Sequence, residues 1–407
     1  MLEANSPRLS RCAVIGALCL SACAPAEQWR GSVEEIDGVV HVMNPAEPLW
    51  GTSEQGEPRL SLELEQVFGV DREPVEAILG NEYELYVGVD AAGNVYVLDG
   101  QASQLVAFDS GGTVLWRVGR QGEGPGEFFR PRQVAVGPNG TIVVVNRSGT
   151  HLALWGSDGN YVSSVSLTDP PLALAELRNP YLAGFTARDR LVIWSAMFGK
   201  TGSRIAVIDP FAPAKVQEFA WDQLPQVEMP RNVASEVSVI AAPDGKIMVG
   251  SGAGYQFRIY DVDGTVLRHV TRAVDYPVRS GFWEEGRGRG IADFGNVLAP
   301  MPLEPDYLLL CVTWVLNIRD PDAMALELAH AAQEGRRPPD IEIRSSFDLF
   351  DRDGRLLYSL TEDLGNLWGD GLWASTGRPQ FIGPDNRLYT IAGDPFPQIR
   401  RYRVEVR

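Results

Sequence analysis

From Val87 onward the chain reads as short apolar runs broken by polar turns, and helical periodicity is nearly absent. One unit recurs: a β run, a polar four-residue turn, a second β run, and then an aromatic residue opening a glycine turn. In the first clear copy Val87-Gly88-Val89 leads through Asp90-Ala91-Ala92-Gly93 into Val95-Tyr96-Val97, and Phe108-Asp109-Ser110-Gly111 follows. The next has Val134-Ala135-Val136, Gly137-Pro138-Asn139-Gly140, Ile142 to Val145 and Trp155-Gly156-Ser157-Asp158-Gly159. A later one has Ala242-Pro243-Asp244-Gly245, Ile247-Met248-Val249 and Tyr260-Asp261-Val262-Asp263-Gly264. In all three the turn glycine (Gly93, Gly140, Gly245) precedes the aromatic (Phe108, Trp155, Tyr260) by 15 residues, a register that random turn placement rarely reproduces.

Weaker copies place Arg188-Asp189, Pro305-Asp306 and Gly383-Pro384-Asp385-Asn386 before further β runs. The six landmarks lie 47, 49, 56, 61 and 80 residues apart, a spacing that suits four-stranded sheets set radially. The expected fold is all-β, a six-bladed β-propeller of four-stranded antiparallel blades over residues 38–407. The N-terminal runs Val39 to Val42 and Leu62 to Phe68 are expected to complete the final blade beside Ile399 to Val406. A seventh blade built from residues 38–80 is the alternative count. One segment breaks the pattern: Asp320-Pro321-Asp322 supplies a cap and a first-turn proline, Ala323 to Glu334 follow, and Gly335 ends the run. It predicts a helix inserted in blade five over about residues 320–335, with Leu326, Leu328 and Ala329 covering an edge of the ring.

The start of the chain bears on location. Arg8 and Arg11 precede an apolar stretch, Ala13 to Leu20, that is too short to span a bilayer and has the layout of a secretory leader. Leu20-Ser21-Ala22-Cys23 then resembles a bacterial lipoprotein cleavage site. That resemblance implies a signal peptide over residues 1–22, acylation of Cys23, and a lipid-anchored linker over 23–37. Because Ala24 follows the cysteine where inner-membrane retention uses an aspartate, the resemblance implies the outer membrane, on its periplasmic or cell-surface face. Cys12 and Cys19 leave with the leader and Cys23 is expected to be acylated. Cys311 then has no intramolecular partner, and packing alone must hold the fold. Losing the leader takes the net charge from −17 to −18, which repels nucleic acid, so no nucleic-acid partner is expected.

The segment Gly119-Arg120-Gln121-Gly122-Glu123-Gly124-Pro125-Gly126-Glu127-Phe128, with Pro131 and the following strand, resembles the six-bladed β-propeller lipoproteins related to NHL repeats and TolB-like propellers. The opening Asp37-Gly38-Val39-Val40-His41-Val42-Met43-Asn44-Pro45 is similar to the first strand of that group, so the resemblance spans nearly all of the mature chain. It implies the propeller and the lipid anchor but no particular activity. The glycine-rich stretch lacks the Gly-Lys-Ser/Thr ending of a phosphate loop and reads as a blade-to-blade crossover, its glycines supplying positive φ. Gly286-Arg287-Gly288-Arg289-Gly290 reads as a solvated loop. The four histidines, His41, His151, His269 and His330, occupy non-equivalent positions, which disfavours a shared zinc ion. The aspartates of the repeat turns, Asp109, Asp158, Asp209, Asp261 and Asp351, are expected to bond nearby backbone amides.

Aligning the inner strands gives the candidate site. Arg132 lies eight residues before Gly140, and Arg378 eight before Asn386, so both are placed at one mouth of the central channel with Arg130 and Trp373. Cations there suit an anionic ligand, against the plainer reading that they pair with neighbouring carboxylates. With no nucleophile-base motif, histidine cluster or cofactor fingerprint, the expected function is not catalysis. It is binding of an envelope protein, peptide or glycan by a monomeric lipoprotein that needs no cofactor. The alternative is a metal-dependent hydrolase, lactonase or lyase, with a divalent cation such as calcium held by channel carboxylates.

Overall fold

Nine polar turns among the described residues close in one way. At 90–94, 109–113, 137–141, 156–160, 186–190, 242–246, 261–265, 351–355 and 383–387 the first amide donates to the fifth carbonyl, and the fourth amide donates back to the first carbonyl. The fourth residue has positive φ in every one of these nine turns. Seven are glycines, while Asp189 (φ 55°) and Asn386 (φ 61°) take the place where the repeat lacks one. Asp and Asn enter the left-handed region more readily than other non-glycine residues, and Asn386 is further held there by two bonds to the backbone of Glu304. The five repeat aspartates do what the sequence predicts: Asp109 accepts from Gly111 and Thr113 N, Asp158 from Asn160 N, Asp209 from Phe211 and Ala212 N, Asp261 from Val262 N, and Asp351 from Arg355 N.

These turns link six antiparallel sheets in a computed structural model that describes residues 28–407 except 82–83, 171, 173, 175–179, 196–202, 213, 222–236, 252–254, 275–279, 286–287, 294, 298–299, 316–322, 324–325, 328–329, 332–333, 335–342, 362–380 and 394. From the channel outward, blade one is Leu85–Val89, Val95–Asp99, Gln104–Phe108 and Val114–Val118. Blade two is Arg132–Val136, Ile142–Asn146, His151–Trp155 and Tyr161–Ser166. Blade three is Tyr181–Phe185, Leu191–Ser195, Ser203–Asp209 and Ala214–Trp221. Blade four is Val237–Ala241, Ile247–Ser251, Gln256–Tyr260 and Val266–Arg272. In blade five two short strands, Gly295–Val297 and Met301–Leu303, share the inner position before Tyr307–Val315, Ile343–Asp351 and Leu356–Leu360. Blade six is Phe381–Ile382, Arg387–Ala392 and Gln398–Val406, completed by the N-terminal strand Leu60–Phe68.

Each blade carries one bulge between its third and outer strands, at Ala107/Phe108, Leu154/Trp155, Val207/Ile208, Ile259/Tyr260, Leu349/Phe350 and Arg401/Tyr402. The extra residue increases the local twist of the sheet. Second strands such as Val95–Asp99 and Ile142–Asn146 are buried along their whole length, which explains their unbroken apolar runs. The core lies between neighbouring blades: Tyr96, Leu98 and Ala107 of blade one meet Ile142, Val144 and Trp155 of blade two.

The N-terminal segment departs from expectation. Leu60–Phe68 closes blade six, as predicted, but Val39–Asn44 pairs in parallel with Arg268 to Arg272 at the outer edge of blade four. Ser32–Ile36, expected as linker, is a further strand paired antiparallel with Val39 to Met43, and no seventh blade forms. Between them, Leu49, Trp50 and Ser53 donate to carbonyls of Leu356, Leu357 and Ser359 at the edge of blade five. Residues 32–68 therefore form a belt over three successive outer edges. Burial favours this path, because the apolar Val42 and Leu60 each become 1% exposed where they dock.

Two further expectations change. In the blade-five insertion Ala323, Leu326, Glu327, His330, Ala331 and Glu334 are helical, but Leu326 is exposed and Ala331 is the buried contact; Leu328 and Ala329 lie outside the described residues. Gly288–Asp293, read as part of a loop, is a strand paired with Ser280–Glu285.

Candidate functional site

In a four-stranded antiparallel blade, the turns after the first and third strands lie at one end of the sheet, and the connections after the second and fourth lie at the other. The nine tight turns therefore share one face of the ring. The opposite face carries every blade-to-blade crossover and the blade-five insertion. That face is where side chains are free of the turn geometry.

The crossover from blade one to blade two is Gly119 to Pro131. Its amides of Gly122 and Phe128 bond the carbonyls of Phe128 and Arg120, at 3.0 and 2.8 Å. Glu127 locks the loop from within, accepting from Gly124 N at 2.9 Å and from Arg120 Nε at 2.8 Å. The Gly124 amide, and then Arg120, hold this carboxyl below the usual range. Phe128 is fully buried against Trp155, with ring centroids 5.5 Å apart. Gly119 is required beneath it, since φ is +91° and a Cβ would stand 2.4 Å from the Phe128 ring.

Between this crossover and the sheet of blade two lies a cavity of about 340 Å³. Gly124, Pro125 and Glu127 form one wall; His151, Ala153, Tyr161, Ser164 and Ser166 line the sheet side. Strand register explains the row, because His151 stands directly between Asn146 and Ser166, and Ala153 opposite Ser164. Asn146 fastens crossover to sheet, donating to Glu127 O at 3.1 Å and accepting from Phe129 N at 2.9 Å. Arg147 adds a bond to Glu123 O.

The tautomer of His151 follows from its neighbour. Thr150 Oγ1 commits its one hydrogen to Arg147 O at 2.9 Å, so at its 2.8 Å contact with His151 Nδ1 it must accept. Nδ1 thus carries the proton and Nε2 the lone pair. Burial, then the Arg147 charge, depress this imidazole below its ordinary value, with Asp169 opposing. His151 is a neutral acceptor at neutral pH.

Of the residues the sequence nominated, Arg132 begins the inner strand of blade two on the crossover face and donates through Nη2 to Ser148 O at 2.6 Å. Arg130 is exposed, with φ +48° and its guanidinium 5.7 Å from the Phe129 ring centroid. Cys23, Trp373 and Arg378 lie outside the described residues. The site thus gathers around the crossover motif and His151, which begins the third strand of blade two and stood in the sequence only as one of four scattered histidines. The 15-residue register from Gly140 to Trp155 could have linked the two, because it fixes His151 on the same face as Trp155.

The histidines are not all apart. His41 of the belt and His269 of blade four sit edge to face with centroids 5.2 Å apart, and His269 Nε2 lies 3.0 Å from Gln256 Oε1. Among the described residues no group of three or more His, Cys, Asp or Glu is placed to hold a metal ion.

A protein family described as "DUF5128: 6-bladed beta-propeller" matches residues 89–218. A member of the DUF4221 family from Bacteroides vulgatus has a similar fold, with a TM-score of 0.51 at 12% identity over 86% of this chain and 99% of that one. A Bacteroides fragilis protein described as exported gives 0.50 at 9% identity over 90% and 99%. Virginiamycin B lyase from Staphylococcus aureus gives 0.43 at 10% identity over 84% and 99%, a likeness that carries no argument about activity. No curated protein matches the chain.

Proposed function

We propose that this six-bladed β-propeller is a binding module of the cell envelope, anchored through a lipid on Cys23 at the outer membrane, which engages its partner with the crossover face. The observation that carries the reading is the division of labour between the two faces. One is built from nine near-identical tight turns whose side chains are spent on their own backbones. The other holds the varied crossovers, the helical insertion and a polar cavity. A rigid ring that concentrates its variety on one face has the form of a recognition scaffold. The partner class is an envelope protein, peptide or glycan. The acidic charge of −17 disfavours nucleic acid.

Sedimentation of the purified protein with envelope fragments tests this. Saturable binding is expected, weakened by Arg130→Glu on the crossover and unchanged by Ala91→Arg on the tight-turn face. Binding that is absent, or that responds to Ala91→Arg instead, would overturn the reading.

A further inference from the structure

The bulge repeated in every blade puts equivalent positions in register, and the position two residues before it sets blade two apart. In blade one it is Val106, opposite Arg117, whose guanidinium bonds Gln104 Oε1 at 3.1 Å and reaches the preceding crossover at Ile78 O, 2.5 Å away. Blade three has Ala206 opposite Glu218, which is held by Arg204 at 2.7 Å. Blade four has Arg258 opposite His269. In blade five Asp348 stands there and meets Arg272 at 2.5 Å; in blade six it is Arg400, opposite Val67. Blades one, four and six thus place an arginine of their own at this level, blade three a glutamate held by arginine, and in blade five Asp348, opposite Ser359, is met by Arg272 of blade four. Blade two instead sets Ala153 opposite Ser164. Its crossover is tied down from elsewhere, by Arg147 and Asn146. Two small side chains, where every other blade has a long or charged one at this level, leave the cavity of about 340 Å³.

The lining narrows what fits. Glu127, kept ionised by Gly124 and Arg120, opposes an anion, and Arg147 opposes a cation. An apolar guest would strand the hydroxyls of Tyr161 and Ser164 without water, whereas Ser166 is already bonded to Asp169. What remains is a ligand that is neutral, donates to the lone pair of His151 Nε2, and exchanges hydrogen bonds with hydroxyls and the Arg147 fork. The size suits a small ligand rather than a protein surface.

We propose that the cavity of blade two binds a short neutral saccharide, with Ser164 and Ala153 as the residues that keep it open and His151 Nε2 as the acceptor for a sugar hydroxyl. The proposal rests on the binding-module reading and names the chemistry of its partner.

Isothermal titration of the purified protein with a panel of neutral mono- and disaccharides tests it, with inorganic phosphate and arginine amide as charged probes. Saturable binding of at least one saccharide is expected. Ser164→Arg, which installs the residue blade one uses, should lower its association constant by about tenfold or more, with the melting temperature unchanged. His151→Ala should weaken binding as well, and serves alone if Ser164→Arg fails to fold. No saccharide heat, binding indifferent to the variants, or binding of a charged probe in place of the sugars would overturn the site. Envelope sedimentation run in parallel separates the two readings. Wild-type protein that sediments but binds no sugar sinks the saccharide site alone, whereas a protein that binds sugar and never sediments sinks the envelope role alone.

Discussion

Single side chains at the belt bear disproportionate weight. Asn44 is 4% exposed and accepts at Oδ1 from Leu356 N (2.7 Å) and Trp29 Nε1 (3.1 Å). Its Nδ2 donates to Gly354 O (2.9 Å) and Thr271 O (3.1 Å), so one amide joins the belt to blades four and five. Truncation leaves several of these groups buried and unpaired, and Asn44→Ala is expected to cost about 2–3 kcal/mol in chemical denaturation. His269 gives the same junction a pH dependence. Burial, then the charge of Arg258 and the neighbouring His41, push its imidazole from 6.5 down to about 4. Between those values the unfolded chain binds a proton that the folded chain does not. The histidine's contribution is therefore full above pH 6.5 and is lost as pH falls toward 4. Melting temperature against pH should decline less steeply across that window in His269→Gln than in the parent.

At the level of turns and strands, the left-handed fourth residue is the repeated demand. Asp189 meets it with φ 55° while its Oδ1 is buried with no hydrogen-bond partner. Asp189→Gly should relieve both and stabilise by about 0.5–1 kcal/mol, read from the denaturation midpoint. The same turns explain what was legible in the sequence. Gly93, Gly140 and Gly245 gave the period directly, and Asp189 and Asn386 hid it only because another residue type filled the same conformation. The blades, the closing strand Leu60–Phe68 and the crossover motif were readable from such local chemistry. The docking of Val39–Asn44 on blade four was not, because its apolar alternation fits any open edge and its partners lie 228 residues away. The cavity was equally hidden, since it arises from what Ala153 and Ser164 omit, visible only once bulges align the blades.

Across the whole ring, the belt divides the blades into two groups. Outer strands of blades four and five are bonded on both sides, whereas Val114–Val118 and Tyr161–Ser166 each leave one edge open. Open edges fray first. Hydrogen–deuterium exchange should show slower exchange in Val266–Arg272 and Leu356–Leu360 than in those two strands; equal rates would mean that the belt adds no protection. The belt also sets an order of events during synthesis. Val39–Asn44 must wait for residues 268–272, Leu49 to Ser53 for 356–359, and Leu60–Phe68 for 398–406. The first strands made are thus the last to dock on the ring, and contacts so distant in sequence slow folding. Until the final residues emerge, Leu60–Phe68 stays unpaired, and a nascent chain stopped short of Gln398 has no third strand in blade six against which it could close the ring.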